Sequence, residues 1–276
     1  MTSLLKKIRH DIPLHAILLL VAIPTFFPIF VMLSISGKDF YQYGQQPLLP
    51  TLPFNFSNYE VAWSFMSSTY VNNTLIIGVG VAGIMIFGSL TAFALARFSF
   101  RGRKLLFYFV LAVLAIPSTV ILVPLFMLIV DLKLINTRWA VILPYAANQS
   151  FAILVLYTFF YNLPRELFES AQIDGAGFVG MYIHLGLPLA RPIMSTIGVF
   201  LIWLFWNDYI WPSLVLSDPQ LQTVALKLVV FYLGRGVPEP GQGMAASVIS
   251  SIPLIVLFLV SMRTFIAGLT SGAIKA

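Results

Sequence analysis

Apolar residues in this chain come in long runs. Six stretches, at about residues 14–36, 73–96, 105–130, 139–161, 192–216 and 244–265, are almost free of charge. Each is near the roughly 20 residues that carry an α-helix across the hydrocarbon core of a bilayer. The pattern predicts an all-α polytopic membrane protein with about six transmembrane helices. No internal repeat, low-complexity tract or linker divides it, so residues 1–276 read as a single transmembrane domain. Prolines punctuate the runs: Pro24 and Pro28 in the first predict a kink, and Pro117 and Pro124 interrupt the third, because proline removes a backbone donor that neighbouring helices must make good. Lys6, Lys7 and Arg9 ahead of the first run resemble the basic end of a signal peptide. The run is too long for one, however, and Ile35-Ser36-Gly37-Lys38 is only a fair cleavage site, so it is kept as a helix.

Composition agrees. Hydrophobic residues make up 59% of the chain, charged residues only 9%, and the mean hydropathy is +0.92; soluble domains carry roughly 25% charged residues. A net charge of +6 invites a nucleic-acid reading, but the 16 Lys and Arg are scattered at the ends of apolar runs, with no basic stripe to track a phosphate backbone. There are no cysteines, and His10, His15 and His184 are far apart, so neither a metal site nor a catalytic constellation is expected. Gly78, Gly80 and Gly83 spell G-x-G-x-x-G but lie inside an apolar run, with Arg97 and Arg101 where a dinucleotide site needs an acid. They read as helix-packing glycines. No phosphate-binding G-x-x-x-x-G-K-[ST] loop occurs. No cofactor and no enzymatic activity are expected.

Loop charge sets the expected orientation. With the N-terminus in the cytoplasm, inner segments hold Lys6, Lys7, Arg9, Arg97, Arg101, Arg103, Lys104, Arg165, Arg191, Arg263 and Lys275, and outer segments hold Lys38, Lys133, Arg138, Lys227 and Arg235, eleven against five. Both termini are then cytoplasmic, as is the segment 162–191. The outer segment 217–243, with Gly234, Gly236, Pro238, Pro240, Gly241 and Gly243, reads as a mobile loop.

Segment 162–191 is the most informative. Asn162 or a neighbour is placed to cap a helix with Pro164 near its first turn. Leu163, Leu167, Phe168 and Ala171 recur at helical spacing, while Arg165, Glu166, Glu169 and Gln172 face elsewhere. Gly175 and Gly177 bracket Ala176 in a bend, Asp174 is placed to cap a second helix bearing Phe178, Met181, Tyr182 and Leu185, and Pro188 closes it. The expectation is a short helix, a glycine elbow and another short helix, parallel to the membrane. It suits either a hairpin in the lipid headgroups or insertion into a groove on another protein. Two adjacent acids weigh against anionic lipid.

Glu169-Ser170-Ala171-x-x-Asp174-Gly175-Ala176, followed by Leu187-Pro188, resembles the E-A-A-x-x-D-G-A…L-P loop of binding-protein-dependent ABC importer permeases, with Ser170 in place of the usual second alanine. Trp206-Asn207-Asp208-Tyr209-Ile210-Trp211-Pro212 and the stretch from Phe265 to Lys275 are similar to the maltose-type carbohydrate subgroup and to the smaller, six-span permease of a heterodimeric pair. The resemblance implies the type I ABC importer permease fold in the prokaryotic cytoplasmic (inner) membrane. It implies a second permease subunit, two cytoplasmic ATPase subunits that hydrolyse the ATP, and an extracytoplasmic solute-binding protein that delivers a sugar or oligosaccharide. Glu169, Ser170, Ala171, Asp174, Gly175 and Ala176 would form a coupling helix seated in an ATPase cleft. Gly268, Thr270, Ser271, Gly272 and Lys275 would make a second ATPase contact, and the glycine-rich outer loop corresponds to one that enters the binding protein.

In the fifth run Trp203, Asn207 and Trp211 fall at i, i+4 and i+8, with Asp208 alongside. A carboxylate within a span commonly faces a polar interior, and aromatic faces beside amides suit sugar rings and hydroxyls. These four residues read either as part of a translocation pathway or as an interfacial aromatic belt near the outer surface. Rival functions are an importer permease for a non-sugar solute such as glycerol phosphate or a polyamine, and a stand-alone secondary transporter. The near absence of ionisable groups in the spans weighs against ion coupling.

Overall fold

The computed structural model describes the backbone over residues 2–234 and 239–273 and the side chains over 15–233 and 239–262. Among the described residues every regular element is a helix. Five helices are long and apolar enough to cross a membrane: His15–Ser36, Ser57–Arg97, Trp139–Asn162, Phe178–Trp206 and Pro240–Met262. A bent pair, Arg103–Leu114 and Ser118–Asp131, makes a sixth if counted as one span. In chain order the pair is the third span.

Several boundaries differ from the apolar runs, each for a local reason. The first helix continues without interruption through Pro24 and Pro28. The second span is 41 residues long, far beyond residues 73–96, because its polar first half stays helical while Asn58, Thr69, Asn72 and Asn73 are buried among partners. The two arms of the third span meet at 98°. There Ala115 N–H is shared between the carbonyls of Leu111 and Ala112, Ile116 donates to Val113, and extended Pro117 starts a new helix. Pro124 stays inside that second arm.

The fifth span begins at Phe178, not near residue 192, so Pro188 does not close a separate short helix. A π-helical turn, Tyr182–Gly186, lies within the span and ends two residues before Pro188. The widened turn falls where the Pro188 ring would otherwise meet the carbonyl of His184 four residues back. The span also ends early, at Trp206, and a short helix Ile210–Val215 follows.

The chain forms two compact units. In the unit Met1–Ser67 with Val230–Ile252, the end of the first span is tied down by Asn58, whose Nδ2 donates to the carbonyls of Ser36 (2.9 Å) and Lys38 (2.8 Å). Ser36 Oγ meets Tyr59 OH at 2.7 Å. A Cβ on Gly241 would overlap the Lys38 carbonyl and the Asn58 amide, so this seam closes only with glycine there. Asp39 and Gln42 form a capping box on the short helix Phe40–Gln45. Lys38 is 0% exposed and donates to the Gln46 carbonyl, and burial pushes its ammonium below the usual lysine pKa. From Ile17 to Leu33 the first span presents large apolar side chains outward, as a lipid-solvated helix does.

In the unit Ser68–Val229 with Pro253–Ala276, glycines let the second and fourth spans approach. A Cβ on Gly80 would lie 3.0 Å from Tyr145 Cβ, and one on Gly83 would lie 2.9 Å from Ala146 Cβ, whereas Gly78 has nothing within 4 Å. Two of the three motif glycines therefore pack helices. The segment read as a mobile outer loop is largely ordered structure. Val224–Gly234 is a helix, Pro240 opens another, and side chains strap residues 217–224. Asn136 Oδ1 accepts from Ser217 and Asp218 (3.2 and 2.8 Å), and Asn72 donates to the Gln220 carbonyl while accepting from Arg138 Nε at 2.9 Å. Asn73 Oδ1 accepts from Val224, and the buried Lys227 ammonium donates to the Pro219 carbonyl at 3.0 Å. Arg235 to Pro238 lie outside the described residues.

Candidate functional site

The elbow is built from the helix Glu166–Ile173 and the turn that follows. No side chain caps its start. Asn162 instead ends the preceding helix and donates to Thr158 O at 2.9 Å, and Arg165 occupies the N-cap position without a side-chain bond. The other end is a complete Schellman turn: Gly175 N–H donates to Gln172 O (3.0 Å) and Ala176 N–H to Ala171 O (2.9 Å). Gly175 carries the required positive φ, +84°, and a Cβ there would meet nothing within 4 Å. Glycine is needed here for its backbone and not for space. Asp174 closes this first helix and does not cap the second, whose N-cap is Gly177, again without a side-chain bond.

The elbow helix has a held face and a free face. Phe168 is buried, Ala171 and Ala176 are half-buried, and Glu166, Glu169, Ser170, Asp174 and Gly175 are exposed. Ser170 Oγ donates to Glu166 O at 2.7 Å within the helix, so the hydroxyl replacing the usual alanine is satisfied internally. Ile173 is 87% exposed.

The held face sits on a seat that sequence patterning does not reveal. Phe93, 0% exposed on the second span, lies within 5.2 to 5.9 Å of the rings of Phe160, Phe168, Phe178 and Tyr182. The elbow helix, the fourth span and the start of the fifth thus converge on one ring. Arg97, one turn further, lies over Phe168 at 4.1 Å and donates to the Leu163 carbonyl at 2.6 Å. In sequence Arg97 reads only as an orientation charge and Phe93 as one apolar residue among many. The one available signal is their i, i+4 spacing at the end of a span.

The fifth-span residues separate. The helix ends at Trp206, where Asn207 Nδ2 turns back to the Trp203 carbonyl (2.7 Å), and Asp208 Oδ1 accepts from Trp211 N–H (3.3 Å) at the next helix start. Trp203, 52% exposed, and Asn207 remain together on an open face. Trp211 does not share that face: it is buried, with Nε1 donating to Ala140 O at 3.0 Å. Asp208 Oδ2 accepts from Tyr145 OH at 2.9 Å, and the Tyr145 ring stacks on Phe205 at 4.0 Å and 4°. Asp208 and Trp211 thus fasten the break to the fourth span. Gly268, Thr270, Ser271 and Gly272 belong to the helix Pro240–Ala273, but their side chains, and all of Lys275, lie outside the described residues.

Comparison with known proteins places this geometry. Residues 84–271 match the family model of binding-protein-dependent transport system inner membrane components. The chain is 32% identical over 260 residues to the melibiose/raffinose/stachyose import permease protein MelC of Bacillus subtilis, covering 93% of this chain and 94% of the relative. It is 31% identical over 263 residues to the trehalose/maltose transport system permease protein MalG of Thermococcus litoralis, covering 93% and 94%. A crystal structure of a bacterial ABC transporter involved in the import of the acidic polysaccharide alginate contains a chain with the same fold, at a TM-score of 0.82 and 24% identity, covering 93% of this chain and 97% of that one.

Proposed function

The chain belongs to the family of binding-protein-dependent transport system inner membrane components, and from that premise we propose that it translocates a sugar or oligosaccharide as one permease subunit of an ATP-driven importer. Its partners are a second permease, two cytoplasmic ATPase subunits that hydrolyse the ATP, and an extracytoplasmic binding protein that delivers the sugar. It lies in the prokaryotic cytoplasmic membrane with both termini in the cytoplasm, the side its excess of Lys and Arg favours.

The observation that carries this reading is the two-faced elbow. Glu169, Ser170, Asp174 and Gly175, together with Ala171 and Ala176, present a rigid surface of acid, small residue and exposed Ile173 to an ATPase groove. Behind it, Phe168 is locked to Phe93 and Arg97. A rigid element held from behind transmits displacement and does not absorb it. Gly268, Thr270, Ser271, Gly272 and Lys275 supply a second ATPase contact.

The sugar assignment draws on the relatives, whose names specify melibiose, raffinose, stachyose, trehalose and maltose. It also draws on the fifth span, where Asp208 is half-buried and engaged by Tyr145 and Trp211. Trp203 and Asn207 together offer an aromatic face and an amide to a neutral ring with hydroxyls. The test is ATP-dependent uptake by the assembled transporter in proteoliposomes. Labelled neutral oligosaccharides are expected to accumulate, and accumulation of spermidine or glycerol phosphate in their place overturns the sugar reading. Gly175→Trp in the same vesicles is expected to abolish uptake and ATPase stimulation; both surviving would overturn the elbow's role.

A further inference from the structure

Two π-helical turns lie in this unit, Ile84–Gly88 on the second span and Tyr182–Gly186 at the start of the fifth. A π-turn adds a residue to a helical turn, weakens its hydrogen bonding, and recurs at functional positions within α-helices. Here the residue that follows the first turn is joined to the residue that opens the second. Ser89, immediately after the first turn and 0% exposed, meets the hydroxyl of buried Tyr182 at 2.6 Å. The Ser89 hydroxyl also donates back to the Met85 carbonyl inside its own π-turn. Its single proton is thereby used, so the Tyr182 O–H is the donor across the joint.

One turn further along each helix the contact repeats. Phe93 stands four residues after Ser89 and Gly186 four after Tyr182, positions on the same helix face. The Tyr182 ring centroid is 5.4 Å from that of Phe93, and a Cβ on Gly186 would lie 3.0 Å from Phe93 Cε2. The joint therefore has two rungs, one a hydroxyl pair and the other a ring against a glycine.

Its position in the chain gives it a role. The helix bearing Tyr182 starts at Phe178, directly after the elbow turn, and runs without a break to Trp206. Displacement of the elbow reaches the fifth span through the backbone alone. It reaches the second span at its end, through Arg97 and the packed rings, and further along that span through the Tyr182–Ser89 hydrogen bond, which fixes the register of the second span against the fifth. We propose that Tyr182 and Ser89 are positioning residues that make the second and fifth spans move together when the elbow is displaced, so that each ATP hydrolysed yields a completed translocation. This inference rests on the elbow being the site where the ATPase acts.

The experiment uses the complete transporter with its binding protein in proteoliposomes and reads sugar transported per ATP hydrolysed. Tyr182→Phe removes one oxygen and keeps the ring packing. It is expected to leave assembly and binding-protein-stimulated ATPase within about twofold of wild type while lowering the sugar-to-ATP ratio about fivefold, the scale of one buried hydrogen bond. Ser89→Thr keeps a hydroxyl and is expected to retain most of the ratio, and Ser89→Ala to match Tyr182→Phe. If Tyr182→Phe does not assemble, Ser89→Ala is read in its place. An unchanged ratio in an assembled hydroxyl-deletion variant, while Gly175→Trp is inactive, overturns the joint and leaves the elbow standing. An active Gly175→Trp removes the elbow reading and the joint with it.

Discussion

The guanidinium of Arg97 lies 4.1 Å over the ring of Phe168, binding the elbow to the end of the second span. The same group donates to the Leu163 carbonyl, so one side chain holds both the entry and the buried face of the elbow helix. Arg97→Ala is expected to weaken that seating by about 1–3 kcal/mol, from a lost cation–π contact and a lost charged hydrogen bond. Hydrogen–deuterium exchange over residues 163–173 of the purified transporter should quicken by about tenfold or more, with little change across the fourth span. Arg97→Lys should recover only part, since a point charge cannot stack on a ring and bond a carbonyl as the planar fork does.

Gly175 and Gly177 look equivalent in sequence but are not equivalent in the turn. Gly175 sits at φ +84°, where a Cβ costs roughly 1–2 kcal/mol, while Gly177 is extended, with φ −75° and ψ 177°. Gly175→Ala should lower ATPase stimulation and local stability by that amount, and Gly177→Ala should be close to neutral. Neither alanine meets a neighbouring atom, so equal effects from the two would contradict the backbone explanation.

In the fifth span, Asn207 and Tyr145 should separate transport from stability. Asn207→Leu leaves the helix end intact apart from one local bond to Trp203 and is expected to raise the apparent KM for sugar severalfold with the melting temperature nearly unchanged. Tyr145→Phe removes the donor to Asp208 and should cost about 1.5–3 kcal/mol, as hydrogen bonds to charged groups do. Thermal unfolding in detergent, beside uptake kinetics, checks both.

The three motif glycines should sort by their surroundings. Gly83→Val forces branched atoms onto Ala146 and should destabilise by about 1–3 kcal/mol as overpacking, whereas Gly78→Val meets open space and should be tolerated. Melting temperatures of the two variants read the difference directly.

Lys38 predicts a pH dependence. Burial holds its folded pKa below the ordinary value, near 10.4 for an unfolded chain. Below the folded pKa both states carry the proton and the burial penalty is constant. Between the two values the unfolded chain binds more protons, so stability rises with pH until the ordinary value is passed. Lys38→Met, which has no such group, should lose that rise. Thermal inactivation rates of the two proteins from neutral pH to about 10.5 give the comparison.

Much of this was readable in advance, for a physical reason. Long apolar runs report where lipid is, so the spans were legible, and Asp174-Gly175 marked the elbow because a left-handed turn needs glycine. Helix ends were less legible, because hydrogen bonding continues past the apolar run wherever polar side chains such as Asn72 and Asn73 find partners. The shared face of Trp203, Asn207 and Trp211 requires an unbroken helix; the helix ends at Trp206, and Trp211 lies in the next one, in the core. The seat is not legible in sequence because Arg97 and Leu163 are 66 residues apart, and no period within either segment records the contact.

Two of the five basic residues assigned to the outer segments, Lys38 and Lys227, are buried against the carbonyls of Gln46 and Pro219. During membrane insertion those loops are still extended, and each lysine counts fully in the balance that decides which way the chain threads. Once folded, their ammonium groups are turned inward as loop fasteners. On the proposed orientation, the same outer segments hold five acids, Asp39, Glu60, Asp131, Asp218 and Glu239, none of them buried, so the finished protein shows an arriving partner a more acidic outer surface than its loop composition implies.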